Sequence, residues 1–454
     1  MYTYQDLIST GAQENERMSF ILSAIEAHKG TKLYQTAKVA QEYATHQNRT
    51  ILQYQKILYT ISGKAVPDNW SANYKIPSNF FNRFIVQENQ YLLGNGVQWQ
   101  DETTTNRLGD SFDTQLQKAG KYALVGGVSF GFFNLDHLEV FSVLEFVPLY
   151  DEENGALMAG IRFWQVSPEK PLRATLYEVD GYTNYIWIDG NPNVLSEKRT
   201  YKEIYASSEA DGLEIYNGEN YPTFPIVPLW GNPDRQSEII GLREQIDAYD
   251  LIKSGFANDL DDVSQIYWTI SNAGGMDDID LAQFVQKLKT VKAATVENGE
   301  QVQSHSIDIP YNAREAILDR LRRDMYRDAM ALDPEEIAGG AVTATQIKAA
   351  YEPLNSKADQ YEYCIIEFIQ GILSIAGIDD NPTFTRSVLV NQTEEIQNLV
   401  MAAEYLPSEY ITKKLLTLFG DADKAEELLG QMASDEVERS RAMLEAAEGE
   451  IGEE

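Results

Sequence analysis

The stretch PIVPLWGNPDRQSEIIGLREQIDAYDLIKSGFANDLDD, Pro225 to Asp262, decides how this chain is built. Pro225, Pro228 and Pro233 surround Leu229, Trp230, Gly231 and Asn232, which reads as a strand that ends and cannot run on as sheet or helix. From Ser237 to Val263 the pattern changes. Ile239, Leu242, Ile246, Tyr249, Ile252 and Phe256 recur three or four residues apart, which predicts one helix with a single apolar stripe. Arg243, Glu244, Asp247, Asp250 and Lys253 fall on its other faces and are expected to meet water.

Upstream of that helix, residues 125–228 hold short runs rich in Val, Ile, Tyr, Phe and Trp, such as LEVFSVLEFVPLY, RATLYEVD and YTNYIWID. Glu153-Asn154-Gly155, Asp180-Gly181 and Asp189-Gly190 separate them at hairpin distances, so an antiparallel sheet is predicted. Before it, residues 1–65 read as helices broken at Gly30, with TILQYQKILYTI as one of them. Two more helices are predicted, at 79–93, stopping at Gly94 and Gly96, and at 105–122.

Downstream, SQIYWTIS, IDLAQFVQKLKT, KAATVE and QVQSHSIDI predict a small αβ insert with a hairpin turn at Asn298-Gly299. A helix over 311–332 follows, with Ile317, Leu318, Leu321, Met325 and Met330 turned to packing and Asp319 to Arg323 as a candidate surface ion pair. A short acidic, glycine-containing loop leads to a long helix from Ala344, with Thr343 as its expected cap and a kink expected at Pro353. Three further helical segments close the chain. From Asp421 on there are 12 acidic residues against three basic, and the terminal GEIGEE is expected to be disordered.

Composition bounds the function. At 454 residues the chain exceeds one growing core, so two to four subdomains are expected. There is no apolar run of membrane-spanning length, and MYTYQDLISTGAQENERMSF carries Asp6, Glu14 and Glu16 where a signal peptide needs apolar residues, so a soluble chain is expected. The single cysteine, Cys364, excludes an internal disulfide and reads as a buried thiol. His28, His46, His137 and His305 have no metal-ligand spacing, and no Walker pattern occurs, so neither metal nor cofactor is expected. No carboxylate pair makes a catalytic constellation, and the chain is read as not an enzyme. A net charge of −33 argues against gripping DNA by phosphate neutralisation. From charge alone a soluble acidic protein is the preferred reading; an acidic wall would keep DNA off its surface only in a narrow passage, since repulsion at physiological salt reaches only about 8 Å.

The succession PIVPLWGN, QIDAYD and SGFANDLDD resembles the portal proteins of tailed bacteriophages, the head-to-tail connectors of siphovirus type. NFFNRFIVQENQYLLGNGV, Asn79 to Val97, and GGAVTATQIKAAYEPL, Gly339 to Leu354, extend the likeness. The resemblance implies an α+β, portal-like fold: a wing of mixed helix and antiparallel sheet, a two-helix stem with a small αβ clip, and a C-terminal helical crown. Laid along the chain, the wing takes 1–236, its β-rich part beginning near 125. Stem helix 1 takes 237–263, the clip 264–310, stem helix 2 311–332 and the tunnel loop 333–343. A long kinked wing helix takes 344–380 and the crown 381–454.

The resemblance also implies a homododecameric ring at one capsid vertex, the channel for packaging and ejecting DNA. Implied partners are the chain itself, the major capsid protein, scaffolding protein, the terminase large subunit, a head-completion or adaptor protein, and double-stranded DNA passing without sequence specificity; no membrane is involved. The virion, and the host cytoplasm during assembly, are the implied locations. Glu335, Glu336, Gly339, Gly340, Arg320, Arg323 and Arg327 are the implied channel residues, and Asp277, Asp278, Asn298 and Gly299 the implied clip docking residues. The alternative is a non-viral acidic α+β scaffold or adaptor.

Overall fold

The sheet-rich span runs from Val128 to Trp230, within three residues of where the β-branched and aromatic composition starts and stops. The structure is a computed structural model that describes residues 2–11, 13–59, 63–69, 71–101, 103–208, 212–262, 267–271, 301–305, 311–337, 344–387, 392–419 and 428–430. Its helices are α1 (Tyr4–Ser9), α2 (Glu14–Lys29), α3 (Lys32–Ala44), α4 (Arg49–Gln53), α5 (Phe80–Leu93), α6 (Thr103–Leu108), α7 (Phe112–Gly126), α8 (Arg243–Asp262), α9 (Tyr311–Asp328), α10 (Pro334–Ile337), α11 (Ala344–Ala376), α12 (Gln392–Ala402) and α13 (Ser408–Phe419). The first strands are β1 (Ile57–Tyr59), β2 (Ala65–Pro67), β3 (Val97–Gln98), β4 (Val128–Asn134), β5 (His137–Ser142), β6 (Phe146–Tyr150), β7 (Leu157–Trp164) and β8 (Leu172–Glu178). Then come β9 (Gly181–Ile188), β10 (Asn191–Arg199), β11 (Lys202–Ser208), β12 (Gly212–Glu219), β13 (Ile226–Trp230), β14 (Tyr267–Ser271), β15 (Gln301–His305) and β16 (Thr383–Phe384).

All the pairings are antiparallel. Strands β6 to β10 form a five-stranded meander, and β13, β4 and β5 form a second sheet in which Trp230 sits opposite Val128. Asp189 and Gly190, both at positive φ (49° and 80°), join β9 to β10, the backbone a two-residue I′ hairpin needs and the reason Asp-Gly occurs there. The fold is therefore mixed helix and antiparallel sheet.

The chain divides into two compact units, Met1–Pro334 with Tyr351–Ser387, and Glu335–Ala350 with Val388–Glu454. In the first, α1 and α2 lay Leu7, Ile21 and Ile25 on Leu149, Ile161, Leu176 and Tyr185 of the five-stranded sheet. A larger core gathers α3, α5, α7, β4, β13 and the stretch of α11 from Tyr361. There Gly131 of β4 leaves the space that the Phe368 ring occupies: a Cβ on it would stand 2.4 Å from Phe368 Cζ. In the second unit, α12 turns through Ala402–Leu406 into α13, whose Ile411 is buried.

Several local expectations are corrected. The helix after the proline-rich strand begins at Arg243 and not at Ser237, because Gly241 stands at φ 86° and the residues before Arg243 form turns. The segment 105–122 is two helices, α6 and α7, broken at Gly109 (φ 85°). KILY in TILQYQKILYTI belongs in part to strand β1, paired with β2, since α4 stops at Gln53. Helix α9 stops at Asp328, and Ile317, expected to pack, is 48% exposed. Helix α11 carries Pro353 inside it, as expected. Cys364 is half-buried rather than buried, and burial still pushes its thiol pKa up. The pairing partner of QVQSHSIDI among the described residues is β14, Tyr267 opposite His305; KAATVE, Thr343 and GEIGEE lie outside the described residues.

Candidate functional site

Helices α8 and α9 run antiparallel. Gln245 near the start of α8 donates to Asp328 at the end of α9, while Phe256 and Asp259 near the far end of α8 meet Tyr311 and Arg314 at the start of α9. The Phe256 and Tyr311 rings pack edge to face at 5.6 Å, and the Arg314 guanidinium lies over Phe256 and pairs with Asp259. The chain therefore leaves the pair at Asp262 and returns to it at Tyr311, with β14 and β15 in the intervening segment.

What holds α8 was only half visible in its sequence. Leu242 and Ile246 are buried as expected, but the row continues at four-residue steps into Asp250, Ser254 and Asn258, all buried and polar. These side chains accept the backbone N–H groups of Ser78 (2.8 Å), Ile76 (3.0 Å) and Tyr74 (2.6 Å). Four helical residues advance about 6 Å and two extended residues about 6.6 Å, so each step along the helix meets the next inward N–H of the strap. Asp250, expected in water, is fully buried; it also accepts from Asn48, and burial raises its pKa.

On α9, Arg320, Arg323 and Arg327 sit three and four residues apart and share one face. Arg320 and Arg327 are 84% and 75% exposed at the side chain, and both reach Asp324, at 3.6 and 3.4 Å. Pairs this exposed contribute little to stability, and the expected Asp319 to Arg323 pair is not among those formed by described residues. Arg322, not singled out from sequence, points inward instead: its Nη1 holds both oxygens of buried Asp333, at 3.0 and 2.8 Å, fixing the point where the chain leaves α9. Glu335 is exposed in α10, and Glu336 lies in the same short helix. Gly339, Gly340, Asp277, Asp278, Asn298 and Gly299 lie outside the described residues.

A second group that the sequence reading missed joins the same region. Lys357 of α11 lies 2.7 Å from Glu88 of α5 and 2.7 Å from Glu238 in the turns before α8, and it donates to the carbonyl of Ala329 just beyond α9. The signal was present at one end: Glu88 interrupts the buried row Phe81, Phe84, Ile85, Leu92 of α5 at helical spacing.

Among the described residues no cluster of His, Cys, Asp or Glu could hold a metal ion, and no helix is long and apolar enough to cross a membrane.

Residues 31–448 match the family model described as phage portal protein, SPP1 Gp6-like. A portal protein of Clostridium phage phiCD119 is 25% identical over 237 residues, 50% of this chain and 51% of that protein, so the match spans about half the length of that relative. The portal protein of Bacillus phage SPP1 is 24% identical over 384 residues, 75% of this chain and 72% of its own. Among solved structures, a chain in the neck of an empty gene transfer agent particle is similar at 12% identity with a TM-score of 0.41, covering 75% of this chain and 90% of that one. A chain from the virion of a native gene transfer agent particle is similar at 11% identity with a TM-score of 0.40, covering 75% and 89%. With the family model spanning most of its length, this chain belongs to the SPP1 Gp6-like family of phage portal proteins, components of the capsid vertex of the virion.

Proposed function

We propose that this protein forms a ring, a homododecamer, at one vertex of a phage capsid, and that DNA enters during packaging and leaves during ejection through its central channel. The observation that carries the reading is the antiparallel pair α8 and α9. It interrupts the chain between the sheet-rich body and α11, bears an insert at its far end, and turns Arg320, Arg323 and Arg327 outward on one face.

In this reading α8 and α9 are the stem and 264–310 is the clip, where Asp277, Asp278, Asn298 and Gly299 meet the terminase large subunit and, later, a head-completion protein. Residues 333–343 are the tunnel loop, with Glu335, Glu336, Gly339 and Gly340 facing DNA; 381–454 is the crown. The wing, 1–236 with 344–380, meets the major capsid protein and scaffolding protein. The role is structural, with the motor supplying the energy. Twelve copies carry a formal charge of about −400, so the channel wall repels the phosphate backbone and the few outward arginines act as weak stations and not as traps.

Light scattering on the purified protein, paired with negative-stain images, tests the reading. Closed rings with a central hole, at about twelve times the 51.2 kDa subunit mass, are expected. A subunit that stays monomeric even with scaffolding protein added would overturn it.

A further inference from the structure

Glu88 is only 2% exposed, and it shares one ammonium with a second carboxylate. Lys357 reaches Glu88 and Glu238 at the same distance, so the cluster holds two potential negative charges against one positive. Lys357 and Tyr361 of α11 and Glu238 ahead of α8 are the charged or titratable groups that face Glu88; Tyr361 stands behind it, donating to Asn89. Among the described residues the Glu88 oxygen that meets Lys357 receives no hydrogen bond from any other group. A buried group with an excess of one negative charge relaxes by taking up a proton, and of the two carboxylates the more deeply buried gains most. Consistent with this, burial outweighs the pull of Lys357 and pushes Glu88 up to about 7, while Glu238 adds repulsion in the same direction.

The same ammonium also holds the carbonyl of Ala329, at 3.2 Å, immediately after α9. Four chain segments thus converge on Lys357: α5, the turns that lead into α8, the exit of α9, and α11 itself. We infer that Glu88, Lys357 and Glu238 form a proton-operated latch at which one buried proton sets how firmly α11 holds the neighbouring ends of α8 and α9. With Glu88 ionised, two carboxylates compete for Lys357 and draw it from the Ala329 carbonyl. With Glu88 protonated, Lys357 is left to Glu238 and Ala329, and the exit of α9 is held more tightly. The inference rests on the folded subunit and is independent of ring formation.

The test uses the full-length protein across pH 6 to 8.5, with two readouts. Infrared difference spectra between wild type and Glu88→Gln isolate the carbonyl band of the protonated Glu88 carboxyl from that of any other buried acid, Asp250 included. Hydrogen exchange, corrected for its intrinsic pH dependence, follows the amides of 325–332. In wild type the band is expected near pH 6 and lost by pH 8.5, with protection of 325–332 falling in parallel; Glu88→Gln keeps the protected pattern throughout. Glu238→Gln, a second variant on the more exposed partner, should shift both transitions to lower pH, because Glu88 then has Lys357 with less competition. Absence of the band at pH 6 overturns the inference, and so does a band that titrates with no change in exchange at 325–332.

Discussion

Asp250 accepts the backbone N–H of Ser78 with one carboxylate oxygen and the side-chain amide of Asn48 with the other, so a single acid in the middle of α8 fixes both the strap before α5 and the cap of α4. Asp250→Ala leaves the buried Ser78 N–H without a partner and Asn48 with only the Ser78 carbonyl to donate to. A loss of about 2–4 kcal/mol is expected, read as the shift of a chemical denaturation curve. Asp250→Asn should cost less, because one oxygen still accepts. If Asp250→Ala matched wild type, the strap would not depend on these bonds.

Ser254 and Asn258 continue the same ladder. Ser254→Ala should cost about 1 kcal/mol. Combined with Asp250→Ala it should cost less than the sum of the two, because once one rung is lost the strap lifts from its neighbours. Additive losses in a double-mutant cycle would mean the rungs act independently.

At Gly131 the Phe368 ring leaves no room for a methyl group. Gly131→Ala is expected to destabilise by about 1–3 kcal/mol through overpacking. Phe368→Leu in the same chain should recover part of the loss, which thermal unfolding of the three variants decides.

The pH dependence of stability carries the sign of Glu88. Its pKa is raised from 4.5 to about 7 in the fold, so between those values the folded chain keeps a proton that the unfolded chain has released. The contribution is present below pH 4.5 and declines as pH rises to about 7. Relative to Glu88→Gln, wild type should lose stability over that window when denaturation curves are compared at pH 5, 6, 7 and 8. A constant difference would place the Glu88 pKa near its ordinary value.

The exposed arginines of α9 give the opposite expectation. Arg320→Ala and Arg327→Ala remove only solvent-facing contacts to Asp324, and each should change stability by no more than about 0.5 kcal/mol. If they face the channel as proposed, replacing Arg320, Arg323 and Arg327 together alters DNA packaging in an assembled capsid and leaves the folded subunit unchanged. A triple variant that packages as wild type does would remove them from the channel.

By itself the sequence determined whatever repeats over a few residues. The sheet-rich span was legible because β-branched runs, proline exits and Asp-Gly turns are local chemistry, as at Asp189-Gly190. The helices α5, α8 and α9 were legible from their apolar spacing, and the outward face of α9 from its arginines at three- and four-residue intervals. Only the tertiary structure decided which polar side chains are buried. Asp250, Ser254 and Asn258 prolong an apolar row on α8, and their partners lie 172 to 184 residues away in sequence. Glu88 sits on the buried row of α5 and meets its ammonium on α11. Periodicity reports which face of a helix a residue occupies. It carries no information on which distant N–H or ammonium will be waiting there, and for a buried charge that partner decides both stability and protonation.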